Sequence, residues 1–248
     1  MENEVSNEYL ENAIDELWNF FGIKEAIYNE DFFSLVRNGN VKESIKTIAC
    51  QLGLPIDINI INVPNDYRAE NSDNQFYSEY LAKTNQDGSR SEGITAQIDI
   101  PSSLPFYGSS ALNNYLISVK ISENCTKNPA IFSVIMAHEL SHVLLYSLNH
   151  PKKENEFYTD LLAIMLGFQD IFQYGRKNIT KRENIGLTGN TITTTTTTYG
   201  YLNDSQFKFA YNKINLIFKK YQKEKKSLIM ELKKYKKLWF FSKCCCII

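Results

Sequence analysis

Net charge is the first thing this chain lacks: 27 basic side chains stand against 28 acidic ones, a formal balance of −1. That excludes a global preference for nucleic acid or membrane. Met1-Glu2-Asn3-Glu4-Val5 has no basic region, and no apolar h-region follows it, so no signal peptide is expected. No apolar stretch reads as approaching 18 residues, which argues against a transmembrane helix. Cysteine is sparse. Cys50 and Cys125 read as buried, reduced thiols, while Cys244, Cys245 and Cys246 cluster near the end. The default location that follows is cytoplasmic.

What is present is a globular composition, 43% hydrophobic and 22% charged over 248 residues, large enough for one substantial core with appended helices. The charge is unevenly spread. Residues 1–31 carry nine acidic side chains and one lysine, whereas 208–243 carry twelve lysines and two glutamates. The two ends are expected to attract each other.

Two of the three histidines stand in Ala137-His138-Glu139-Leu140-Ser141-His142-Val143. Successive residues of a helix are set about 100° apart, so His138 and His142 fall on one face, one turn apart, where two imidazoles can grip one ion. Glu139 is offset from them and addresses a metal-bound water, the general-base position. Asn128 is a plausible N-cap, Pro129 suits the first helical position, and residues 130–148 are apolar almost all round, so the helix is buried. Buried histidines and a buried glutamate need partners, which a metal and its water supply. The plainer alternative is a pair of core histidines bonded to nearby carbonyls.

A third ligand separates these readings. His150-Pro151 forces a turn. A second helix over about residues 153–166, ending near Gly167, would bring Glu156 back to the metal if it returns antiparallel. Asp160 lies one turn on and, with Asn155, is a candidate to tie down the histidines' second ring nitrogens. The alternative for Glu156 and Asp160 is ordinary charge on an exposed helix face. A metzincin pattern would require glycine at 145 and histidine at 148. Leu145 and Leu148 exclude it. His150 reads as a solvent-exposed turn residue outside the site.

In the order HExxH then NExxxD, residues His138, Glu139, His142, Asn155, Glu156 and Asp160 resemble the gluzincin metallopeptidases, the thermolysin-like clan that holds zinc with His, His and Glu. The resemblance covers about residues 93–170, and its short spacing is closer to the compact single-domain minigluzincins. The chain also looks like an uncharacterised group of bacterial zincin-like proteins with an AHELSHVLL helix, an EFYTDL helix and a TYGYL segment. The resemblance implies one Zn2+ per chain, with Asp160 orienting His138 and Asn155 orienting His142. It also implies an edge strand at residues 93–100 that binds peptide by adding it as another strand.

Elsewhere, residues 8–21 and 41–52 have helical periodicity, ended by Gly22 and Gly53. Residues 56–63, 94–100 and 116–121 alternate as strands, with a bulge or an early end possible at Ile60-Ile61. The stretch 65–92 is polar and reads as a loop, with Tyr67, Phe76, Tyr77 and Tyr80 placed to cover the cleft or to plug the core. Residues 191–198 are nearly all threonine and read as a surface linker or an extended segment. They deliver Tyr199-Gly200-Tyr201, either of whose phenols could stabilise an oxyanion, Tyr201 being preferred. Asn203 and Gln206 suit a capping pair for a helix from Asp204 to about Phe241.

The fold expected is α+β and zincin-like: a small, mostly antiparallel sheet packed on the HExxH helix and a third-ligand helix, with a long C-terminal helix. Residues 1–190 would form the metallopeptidase domain, and 191–248 a threonine-rich segment, a basic helical extension and a cysteine tail. The basic, aromatic stretch 233–241 suits an anionic membrane surface, and Cys245-Cys246-Ile247-Ile248 fits a loose prenylation pattern. A solvated lysine face with a frayed end is the alternative. The function expected is a zinc-dependent hydrolase cleaving peptide or protein substrates, with no nucleic-acid partner. The competing class is a non-catalytic zinc protein that binds a membrane or a protein.

Overall fold

Ser6 starts the first element: its hydroxyl accepts from the Tyr9 amide at 3.1 Å and caps α1 (Asn7–Phe21), which buries Leu10, Ala13, Ile14 and Leu17 along one stripe. This computed structural model describes residues 5–27, 29–65, 67, 75–81, 95–186 and 189–244, and for 75–81, most of 178–197 and 231–244 it is the backbone that is described. α2 (Asn29–Arg37) buries Phe32, Phe33 and Val36, a helix that the periodicity of the sequence did not bring out. α3 (Val41–Leu52) ends as expected at Gly53, whose φ of 89° is left-handed.

Four strands form a mixed sheet in the order β1-β4-β3-β2: β1 (Asp57–Val63), β2 (Gln75–Leu81), β3 (Thr95–Pro101) and β4 (Leu116–Ser122). β1 pairs with β4 in parallel, and the other two pairings are antiparallel. One face of the sheet, carrying Ile58, Ala96, Ile98, Ile100, Ile117, Val119 and Ile121, is buried in the core. α3 and the helix bearing the histidines pack beside it.

Three expectations are corrected here. β2 lies within a stretch read as loop, and Phe76, Tyr77 and Tyr80 belong to it, while 68–74 and 82–94 fall outside the described residues. β1 has no bulge, its register running unbroken from Asp57 opposite Leu116 to Val63 opposite Ser122. β3 is not an edge, because β4 pairs on one side and β2 on the other. Among the described residues the edges are β1 and β2.

After α4 (Glu123–Thr126) come α5 (Pro129–Ser147) and α6 (Glu156–Ala163). α5 corrects the reading of the apolar runs. It is long and apolar enough to span a bilayer, yet most of it is buried inside the protein. α6 is shorter than expected, breaking into a wide turn over Ile164–Phe168 before α7 (Gln169–Gly175). Gly167 stands at φ 108°, and the opened carbonyls are satisfied from elsewhere. Gln51 Nε2 donates to the Leu166 carbonyl at 2.9 Å, and the Lys24 amide donates to the Met165 carbonyl at 3.1 Å. A Cβ at 167 would lie 2.5 Å from the Glu25 carbonyl and collide with Gln51. Gly167→Ala should therefore cost more than about 1 kcal/mol, read as a lower denaturant midpoint.

The threonine run is an extended segment, the second of the two readings, and not a linker. It forms β6 (Gly189–Thr198), paired antiparallel with β5 (Lys177–Gly186) in a two-stranded ribbon, so a boundary at residue 190 falls inside a strand. α8 (Asp204–Cys244) follows. Asn203 and Gln206 cap it reciprocally, each amide donating to the other's side-chain oxygen at 2.9 Å. The opposite charge of the two ends has a counterpart in the pairing of Lys213 on α8 with Glu11 on α1.

Candidate metal centre

α5 is apolar all round because it is enclosed all round. Asn128 Oδ1 accepts from the amides of Ala130 and Ile131, Pro129 opens the helix, and every residue from Ile131 to Leu145 is buried. His138 and His142 lie on one face with ring centroids 5.0 Å apart. α6 returns alongside, and its cap sets the third group: Asn155 Oδ1 accepts from Phe157 N at 3.1 Å and Tyr158 N at 3.3 Å, placing Glu156 first in the helix. Glu156 Oε2 then lies 3.0 Å from His138 Nε2 and 3.2 Å from His142 Nε2.

The hydrogen bonds behind the rings define their tautomers. Asp160 Oδ2 accepts from the Tyr201 amide at 2.6 Å and the Leu202 amide at 3.3 Å, and its Oδ1 is 2.8 Å from His138 Nδ1. A carboxylate engaged in this way acts only as acceptor, so Nδ1 of His138 carries the hydrogen. His142 Nδ1 lies 3.1 Å from the Lys153 carbonyl, which can only accept. Both rings thus turn Nε2, the nitrogen left free to act as a ligand once deprotonated, towards the Glu156 carboxylate. Three electron-pair donors lie within 4.8 Å of one another. His138, His142 and Glu156 therefore form a group that could hold a metal ion.

Protonation responds in the same sense. Burial opposes charge on His138, but hydrogen bonds to the Asp160 and Glu156 carboxylates outweigh it and raise its pKa to about 10. Burial would raise Glu156, but the two imidazoles hold it down to about 2. A proton fills part of the place that a metal would take.

Glu139 is buried on the next position of α5. Its charge is felt by the neighbours: burial first, then Glu139, pushes the Cys125 thiol up to about 12. Of the two tyrosines it is Tyr201 that reaches the histidines, its ring stacked on His138 with centroids 5.4 Å apart and planes 21° apart. It remains 46% exposed. Burial and the carboxylates of Glu156, Glu139 and Asp160 raise its phenol above the ordinary value, so it stays a donor. Tyr199 is packed in the core, its amide donating to the Arg176 carbonyl at 2.7 Å. Gly200 between them has φ 88°, and a Cβ there would lie 3.0 Å from Asp160 Oδ2. The site needs glycine at this turn.

Asn155 does not orient His142. Its oxygen is committed to the helix cap and its Nδ2 donates to Tyr9 Oη at 3.1 Å, so the Lys153 carbonyl does that work, with Thr159 Oγ1 3.4 Å from the same nitrogen. No side-chain signal in the sequence could mark a backbone carbonyl. His150 is buried instead of exposed: Phe20 and Tyr158 pack on its ring, and its Nδ1 accepts from the Lys152 amide at 3.1 Å. It lies outside the metal group, as expected. Cys50 is exposed, and only Cys125 of that pair is buried. Arg176, also unanticipated, is buried and holds the loop that carries Tyr201, donating to the Leu202 carbonyl and to Asp204 at 2.6 Å each.

Asn155→Ala should cost about 1 kcal/mol of stability through the lost cap. Because the same cap sets Glu156, it should also weaken metal binding, by about tenfold or more in a competition titration. Unchanged affinity would show that α6 keeps its register without the cap.

Comparison with protein-family models, curated proteins and solved structures returns no match. What the site does is therefore read from its geometry.

Proposed function

We propose that this protein is a zinc-dependent hydrolase, and specifically a metallopeptidase of the gluzincin kind. The observation that carries this reading is the convergence of His138 Nε2, His142 Nε2 and Glu156 Oε2, with both Nδ1 atoms tied to acceptors. Two imidazoles and one carboxylate are the three-ligand set of catalytic zinc, which leaves a position for water. Zinc bound there would act as a Lewis acid on a carbonyl and lower the pKa of water towards about 7.

The chain's own groups supply the rest. Glu139 accepts the proton of the attacking water and passes it to the departing amine. Tyr201, a protonated phenol against His138, donates to the oxygen that gains charge. Asp160 holds the His138 ring and, through the amides of Tyr201 and Leu202, holds the tyrosine loop as well, so one carboxylate aligns two functional groups. β2 takes the edge position first assigned to residues 93–100, and an extended peptide adding to it is the binding mode that goes with this reading.

A peptide-library assay tests the proposal. Cleavage should disappear on chelation and return with added zinc. Cleavage that persists in a metal-stripped protein would overturn the reading.

A further inference from the structure

Among the described side chains of α8, those that fasten it to the body lie in its first half. Gln206, Ala210 and Ile214 are buried, Lys213 pairs with Glu11, and Tyr221 meets Trp18 edge to face at 5.8 Å. From residue 223 to 230 every position is exposed, including Leu228, Ile229 and Met230, yet the helix continues unbroken to Cys244. At 1.5 Å per residue this second half is an arm of about 33 Å. Leu228, Ile229 and Met230 stand in water, so a surface that covers the arm would stabilise it by burying them.

The arm's chemistry selects that surface. Residues 223–243 hold eight lysines and two glutamates, which attract an anionic partner and oppose a second copy of the same arm. Near the end come Leu238, Trp239, Phe240 and Phe241 in succession. Four consecutive helix positions, about 100° apart, go round the whole circumference. A groove on a protein covers one side of a helix, and nucleic acid answers the lysines without enclosing an apolar girdle. The interface of a bilayer does both, taking lysines at headgroup level and aromatic residues at the acyl boundary.

We propose that the second half of α8, from Gln222 onward, docks on an anionic lipid surface. This rests on α8 alone and stands or falls independently of the metal centre. Full-length protein should cosediment with phosphatidylcholine vesicles only when phosphatidylserine is included, and less at high salt. The full-length variant with Lys233, Lys234, Lys236 and Lys237 all changed to Glu should bind at least a hundredfold more weakly, since each lysine near such a surface contributes about fivefold. A second variant with Trp239, Phe240 and Phe241 changed to Ser should lose tenfold or more, with metal content unchanged in both. Failure of the wild type to bind phosphatidylserine vesicles, or equal binding by the variants, would overturn the proposal. So would a wild-type dimer that the serine variant converts to monomer without any vesicle binding.

Discussion

Glu139→Gln should leave the metal and the fold in place and abolish hydrolysis. The substitution conserves volume at a position that is 1% exposed, so α5 has no reason to move. An amide cannot accept the proton of the attacking water, and the loss of a general base costs about 10²–10⁴-fold in rate. The check is kcat/KM on a cleaved library peptide, measured beside metal content and the thermal midpoint. Equal turnover in the wild type and the variant would remove Glu139 from the mechanism. Were both to hold metal and cleave nothing, the protein would belong to the binding class set against the hydrolase at the outset.

The second large effect concerns the ligands. Glu156→Ala should strip most of the metal, because it removes one of three donors, a carboxylate that faces both Nε2 atoms. His138→Ala and His142→Ala should do the same. Asp160→Asn should weaken binding by about 10–100-fold while leaving the ligand set intact, since it alters the acceptor behind His138 and the two amide contacts of the tyrosine loop. The graded order, ligand before supporting residue, distinguishes a metal centre from a cluster of buried polar groups. For such a cluster the four variants should differ in stability alone.

The ligand group was legible because it is written in local periods. A four-residue spacing on one helix and a capped return helix are short-range features, and the structure brings together His138, His142, Glu156 and Asp160 from those spacings. The supporting contacts follow a different logic. The Lys153 carbonyl behind His142 is backbone and carries no sequence signature, and Asn155 was read as a second supporting side chain when its cap role left it no free oxygen. His150 beside a proline resembles a turn residue, but α1 covers it with Phe20.

The sheet was legible strand by strand but not in its order. β1, β3 and β4 show alternation, whereas which of them is the edge depends on a fourth strand, Gln75–Leu81, whose aromatic residues Phe76, Tyr77 and Tyr80 do not alternate and stand in a polar stretch of sequence. Threonine repetition in β6 left a linker and an extended segment both open; β-branched residues favour the extended form, and the partner that pairs with it, β5, was not legible. α6 was drawn too long because Gly167 was taken as an end, when it is the left-handed pivot of a turn whose carbonyls Gln51 and Lys24 satisfy from a distant part of the chain.

X-ray absorption at the zinc edge, on protein purified without added chelator, tests the central claim most directly. Close to one zinc per chain is expected, with only nitrogen and oxygen neighbours at about 2.0–2.2 Å, two of them imidazoles identified by the scattering of their outer ring atoms. Sulfur in the first coordination sphere, or a spectrum unchanged in Glu156→Ala, would contradict it.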